Sequence, residues 1–256
     1  MKNGIAAFLV FVGFAAVAAD PEAEAKKTEI WSPEPPMVTP GVGTAPPSDA
    51  ELLFDGKNLD AWESANQVGQ AAGWTVADGI VTVKKGSVNI QTRKSYQDYQ
   101  LHLEWRIPEG ITGDGQARGN SGVFLASTGP KDAGYELQIL DCWRNKTYVN
   151  GQAGSVYKQA APLVNPCRKP GEWQSYDILW TAPRFGGDGK LSSPARVTLL
   201  FNGVLVQNDF ALTGETLWIG SPSYHAHGRL PIKLQDHGDP SPPISFRNIW
   251  VRDLTR

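Results

Sequence analysis

Glu136 and Gln138 share one side of a period-two stretch, GYELQIL, while Tyr135, Leu137 and Ile139 take the other. The same alternation gives LHLEWRI an apolar face of Leu101, Leu103, Trp105 and Ile107 and a polar face of His102, Glu104 and Arg106. In IKLQDHG, Lys233, Gln235 and, if the strand runs on, His237 alternate with Leu234 and Asp236. Carboxyl, imidazole and cationic groups on extended faces are the equipment of proton transfer. The plain alternative is a set of solvated outer faces with paired charges, the ordinary condition of an antiparallel sheet.

The amides argue against that alternative. Gln138 and Gln235 gain nothing in solubility over Lys or Thr, yet each donates and accepts, which suits the hydroxyl groups of a sugar. Aromatic residues lie close in sequence: Trp105, Tyr135, Trp143 and Tyr157. Sugar sites combine ring faces with a few polar groups in a concave surface. Trp105 falls on the core side by parity, whereas Trp143 follows its strand and is expected to line the mouth of a site.

Offsets of zero, two and five from Glu136 reach Gln138 and Asp141, where laminarinase-like glycosidases on a similar sandwich use Glu, Asp and Glu. Gln138 cannot assist a nucleophile as Asp does, and Asp141 is a shorter acid that falls on the opposite face unless a bulge intervenes. The retaining mechanism also needs two carboxyls roughly 5–5.5 Å apart. A conventional retaining glycosidase is therefore disfavoured, and Asp141 is grouped with the substrate contacts.

These side chains need strands to hold them. Candidate strands are Ile80–Lys84, Val88–Thr92, Gln100–Ile107, Gly122–Ala126, Tyr135–Leu140, Ser175–Trp180, Arg196–Phe201, Val204–Gln207, Ile232–Gln235 and Ser245–Val251. Turn dipeptides separate them, and Asn202-Gly203 between two β-branched runs is the clearest hairpin signal. Many short strands and no sustained helical period predict an all-β domain, a two-sheet sandwich or jelly roll. Two loops read as insertions. Ala182 to Pro194 is glycine-rich and expected to be a flexible excursion; Gly214 to Arg229 carries Trp218, Tyr224, His225 and His227 and is placed to overhang a site.

Ahead of this domain, Lys2 and the apolar run Ile5 to Val17 end in Ala18 and Ala19, the pattern of a signal peptide over residues 1–19. The run is too short to span a membrane, so the mature protein is expected to have no span and to be secreted or periplasmic; an uncleaved anchor is the alternative. Residues 20–48, rich in Pro, read as a disordered spacer, leaving 49–256 as the domain. A net charge of −2 with mixed signs offers no basic stripe, so nucleic acid is a poor partner. Cys142 and Cys167 are the only cysteines, candidates to pair in an oxidising compartment, with two unpaired thiols as the alternative.

Seven motifs then occur in order: LFDGKNLDAW at 53–62, NSGVFL at 120–125, YELQILD at 135–141, GEWQSYDI at 171–178, FNG at 201–203, LQDHG at 234–238 and FRNIWVRDL at 246–254. Together they resemble the 3-keto-disaccharide hydrolase family, over about Leu52 to Leu254. The resemblance implies a concanavalin-like jelly roll and cleavage of sugars already oxidised at C3. A C3 ketone acidifies the C2 proton, so the C1 aglycone can leave by elimination, with water added afterwards. On the motif positions, Glu136 or His237 is placed as base, Glu104 as acid, and Arg106, Lys233, Gln138 or Gln235 as donors. Asn120 contacts a hydroxyl or merely caps a turn. No cofactor is required; a divalent metal on His102, Glu104, Glu136 or His237 suits the ligand types, though no spacing demands it. The alternative function is a non-catalytic carbohydrate-binding module. Such a module needs only amides and aromatics, whereas catalysis needs a proton carrier facing a pocket.

Overall fold

The alternation along LHLEWRI becomes a strand inside the larger of the two main antiparallel sheets in a computed structural model, which describes residues 20–255. In chain order the strands are β1 (Glu51–Phe54), β2 (Trp62–Ser64), β3 (Thr75–Ala77), β4 (Ile80–Thr82), β5 (Ile90–Thr92), β6 (Tyr99–Arg106), β7 (Ser121–Ser127) and β8 (Gly134–Ile139). They continue with β9 (Trp173–Thr181), β10 (Arg184–Phe185), β11 (Leu191–Ser193), β12 (Arg196–Phe201), β13 (Val204–Ala211), β14 (Lys233–Leu234) and β15 (Ser245–Asp253). The eight-stranded sheet runs β13-β12-β9-β6-β15-β4-β3, with β1 also on β15; the five-stranded sheet runs β2-β5-β14-β7-β8. Their apolar faces share one core. Leu101, Leu103 and Trp105 come from the larger sheet, and Val123, Leu125, Leu137, Ile139 and Leu234 from the smaller. This is a jelly-roll sandwich, as the alternation predicts.

The predicted hairpin closes β12 to β13 through Asn202 and Gly203, both with positive φ, the geometry that a two-residue turn on twisted strands requires. The segment 182–194 departs from expectation. It forms the β10–β11 hairpin, and Phe185 packs edge-on against Tyr224 and His227.

The presumed spacer also departs. Residues 20–37 belong to a separate unit, containing a short helix α1 (Pro21–Lys26) capped by Asp20. From Val38 onward the chain belongs to the main unit and lies on the outer face of the larger sheet. The Thr44 carbonyl accepts from Trp250 Nε1 and Asn248 Nδ2, each at 3.0 Å, and the Thr44 hydroxyl donates to Glu104 at 2.9 Å. A proline-rich stretch cannot build a core, but its preset extended backbone can lie along a surface that supplies the donors. The signal-peptide reading falls outside the described residues. Among the described residues no helix is long and apolar enough to cross a membrane.

Candidate active site

The outer face of the five-stranded sheet is where the polar sides of β8 and β14 meet. Pairing of β7 with β8 sets Gly122 opposite Gln138, and β14 inserts between β5 and β7. Beyond Leu234 the Gln235 amide still donates to the Gly122 carbonyl at 3.1 Å, which carries Gln235 and His237 to the same face. A cavity of about 480 Å³ opens there. Glu136, Gln138, Asn120, Gln235 and His237 form part of its wall, and Tyr148, Tyr157, Thr216 and Trp218 reach it from loops.

Glu136 is buried, and burial pushes its carboxyl up to about 8, helped by the Asp132 charge and opposed by that of Lys233. At neutral pH it is therefore protonated. Its backbone N–H donates to the Thr216 hydroxyl at 2.9 Å. Gly122, across the ladder, leaves the room its side chain occupies.

Lys233 is fully buried and donates to the carbonyls of Gly129, Lys131 and Ala133 at 2.7–2.8 Å. Burial pulls its ammonium down to about 8 against the pull of Asp132 and Glu136, which leaves it charged at neutrality. All three hydrogens are used, so Lys233 cannot also donate to substrate. It fixes the 129–133 loop and acts on Glu136 as a charge.

A hydrogen-bonded row crosses the other half of the cavity. Gln138 Nε2 donates to Asn120 Oδ1 at 2.8 Å. Asn120 Nδ2 donates to the Gln116 carbonyl at 2.8 Å and lies 3.2 Å from His237 Nε2. An amide N–H facing Nε2 makes that nitrogen the acceptor, so the proton sits on Nδ1, which faces Asp239 at 3.4 Å. Burial would raise Asp239, but hydrogen bonds from His237 and Ser241 and the charge of Lys85 outweigh it and hold the carboxyl well below the usual range. Asp239 is a permanent anion behind the imidazole. Gln235 Oε1 is buried and lacks a partner among the described residues.

The remaining predicted residues lie elsewhere. Glu104 and Arg106 belong to β6, on the outer face of the larger sheet, and so do not join Glu136. Glu104 accepts from Arg247 at 2.6 Å, Asn248 at 3.0 Å and Thr44 at 2.9 Å. Those bonds outweigh the effect of burial and keep its carboxyl below the ordinary value. The Arg106 guanidinium stacks over Trp173 at 4.6 Å. Parity tells which side of a strand is polar but not which sheet the strand joins, and this sandwich has two polar outer faces. Asp141 is buried, paired with Arg118 and accepting from the Trp143 amide, a role internal to the fold. The cations of Arg144 and Lys169 lie near the Trp143 ring, which is not part of the cavity wall. Cys142 and Cys167 form a disulfide.

His102 and Glu104 thus stand on one sheet and Glu136 and His237 on the other. Among the described residues no three His, Cys, Asp or Glu side chains gather in metal-binding geometry. The site residues that sequence reasoning missed, such as Gln116, Asp132, Tyr148 and Thr216, come from loops and a single 3-10 turn, where no period announces direction. Asp239 had a readable signal, lying two residues beyond His237 in HGD.

A family model for the 3-keto-alpha-glucoside-1,2-lyase-like domain matches residues 49–252. A crystal structure from Parabacteroides distasonis, described as a candidate glycosyl hydrolase, is 52% identical, with 90% of this chain and 96% of that one covered and a TM-score of 0.83. A second candidate glycosyl hydrolase from that organism is 24% identical, with 80% and 94% covered and a TM-score of 0.59, a likeness of fold alone. No curated protein matches. The chain belongs to the family of 3-keto-alpha-glucoside-1,2-lyase-like domains.

Proposed function

We propose that this protein cleaves the glycosidic bond of 3-keto-glycosides by elimination followed by hydration. Family membership supports glycoside cleavage as the reaction class. The observation that carries the finer reading is the pairing, in one cavity, of a buried carboxyl raised to about 8 with an imidazole whose Nε2 is an acceptor backed by Asp239. Two titratable groups with such different surroundings divide into an acid and a base.

In this mechanism His237 Nε2, exchanging the Asn120 amide for substrate, takes the C2 proton. The C2–H electrons form the C2–C3 double bond of an enolate, and Gln235, with its carboxamide oxygen buried, presents its amide to the charged oxygen. The enolate then collapses, the C1–O bond breaks, and a C1–C2 double bond forms beside the restored ketone. Glu136 gives its proton to the departing oxygen. Water adds to the unsaturated product, and the C3-oxidised sugar is released. Assignment of the acid to Glu136 and the base to His237 replaces the role first given to Glu104, which stands on the other sheet.

The signal-like amino terminus and the Cys142–Cys167 disulfide support a secreted or periplasmic location. Purified protein incubated with 3-keto-glucosides and their unoxidised parents should release aglycone only from the oxidised set. Equal cleavage of the parents would return the conventional glycosidase, and saturable binding without turnover would leave a carbohydrate-binding module.

A further inference from the structure

We propose that Leu217, Trp218 and Ile219 form a platform for an apolar, ring-bearing aglycone; this rests on the reaction proposed above and names the leaving groups it favours. These three consecutive large apolar side chains are 41%, 73% and 74% exposed. Singly exposed apolar residues are ordinary, but a contiguous apolar tip beside a cavity marks a binding surface.

The platform is fastened at its base. The Glu215 amide donates to the Ser223 carbonyl at 2.9 Å, and Gln159 Nε2 donates to the Gly214 carbonyl at 3.0 Å. Thr216 binds β8 twice, through its amide to the Gly134 carbonyl at 2.8 Å and through its hydroxyl to the Glu136 amide at 2.9 Å. Trp218 also walls the cavity that holds Glu136.

That connection sets a direction. Glu136 protonates the leaving oxygen, so whatever is attached to that oxygen extends from Glu136 toward the neighbouring Thr216 and onto Trp218. Tyr148, 39% exposed, also lines the cavity, and its chain neighbour Val149 is 64% exposed. Aromatic rings alone would grip a second sugar as well as a hydrocarbon. Leu217, Ile219 and Val149 add apolar area without hydrogen-bonding side chains, and so favour an aglycone without hydroxyl groups to satisfy.

The experiment compares benzyl, methyl and glucosyl 3-keto-glucosides of one anomeric configuration. Benzyl and methyl alkoxides are similar leaving groups, so their difference reports binding rather than intrinsic reactivity. The wild type should prefer benzyl over methyl in kcat/KM by about 10–100-fold, the effect of covering one ring. Trp218→Ala should bring that ratio close to one, and Trp218→Phe should restore most of it. Turnover of benzyl and methyl substrates at equal efficiency overturns the platform while leaving the reaction standing. A glucosyl substrate as good as benzyl, with the same loss in Trp218→Ala, makes the tip a sugar subsite and also overturns it. Absence of turnover with all three defeats the proposed reaction and the platform together. A dimer in sedimentation that Trp218→Ala dissociates would assign the tip to a second copy of the chain instead.

Discussion

The Glu136 carboxyl lies directly over the backbone of Gly122 on the neighbouring strand: a Cβ on Gly122 would stand 2.5 Å from Glu136 Oε1. The proposed acid is therefore positioned by the lack of a side chain across the ladder. Gly122→Ala should push the carboxyl out of place and lower kcat by about 100-fold, the usual effect of roughly 1 Å of misplacement. An unchanged circular dichroism spectrum with reduced kcat would separate displacement from unfolding.

Glu136→Gln keeps the shape of the side chain but cannot give up a proton in the same way. Its rate should fall by about 10²–10⁴-fold while substrate binding persists. Since burial raises the folded carboxyl from its ordinary value near 4.5 to about 8, the folded state holds more protons than the unfolded state between those values. Stability from this group is thus full at low pH and is lost as pH rises toward 8. Denaturant titrations from pH 5 to 9 should show that loss in the wild type and a flatter profile in Glu136→Gln. Activity should decline above pH 8 by the same titration.

In the proposed mechanism Asp239 acts through His237, as a positioning residue. Asp239→Asn removes the charge behind Nδ1 and allows the other imidazole tautomer, so kcat should drop by about 10²–10⁴-fold with little change in KM. The acidic limb of the pH profile should move, and the isotope effect from deuterium at C2 should grow as proton removal becomes limiting. A variant that loses stability but keeps the wild-type isotope effect and pH profile would make Asp239 a purely structural anchor for Lys85 and Ser241.

Limited proteolysis should stop near Met37 rather than trim to Asp49, because Thr44 is bonded to Glu104, Asn248 and Trp250. A chain beginning at Asp49 would uncover Trp250, which stacks on the buried His102 at 5.3 Å. It should be less stable than the chain beginning at Val38 by about 1–3 kcal/mol in urea titrations.

Replacing Cys142 or Cys167 by Ser opens a covalent link across a separation of 25 residues. A stability loss of about 2–4 kcal/mol is expected, read from the same denaturant curves with and without reductant.

Much of this was legible in the residues. Alternation placed Glu136, Gln138 and Gln235 on polar faces and Leu137, Ile139 and Trp105 in the core, and Asn202-Gly203 marked its hairpin. Three limits were physical. Period two cannot assign a strand to a sheet, so Glu104 and Glu136 read alike although they face opposite sides of the sandwich. A register shift between Arg247 and Trp250, with Asn248 at φ 47°, breaks the alternation in β15 and turns Arg247, Asn248 and Trp250 to one side together. The short strands β1, β2 and β3 carry too few residues for any period to emerge, and tertiary pairing alone defines them.

The place of β14 between β5 and β7 has a consequence for the order of assembly. Residues 90–92 and 121–127 are synthesised long before 233–234, so the growing chain holds a vacant lane in the smaller sheet, bordered by two unpaired edges. Such edges are slow to satisfy and invite pairing with other chains. The strand that fills the lane also delivers Gln235 and His237. Closure of the sheet and arrival of the proposed base are then a single event.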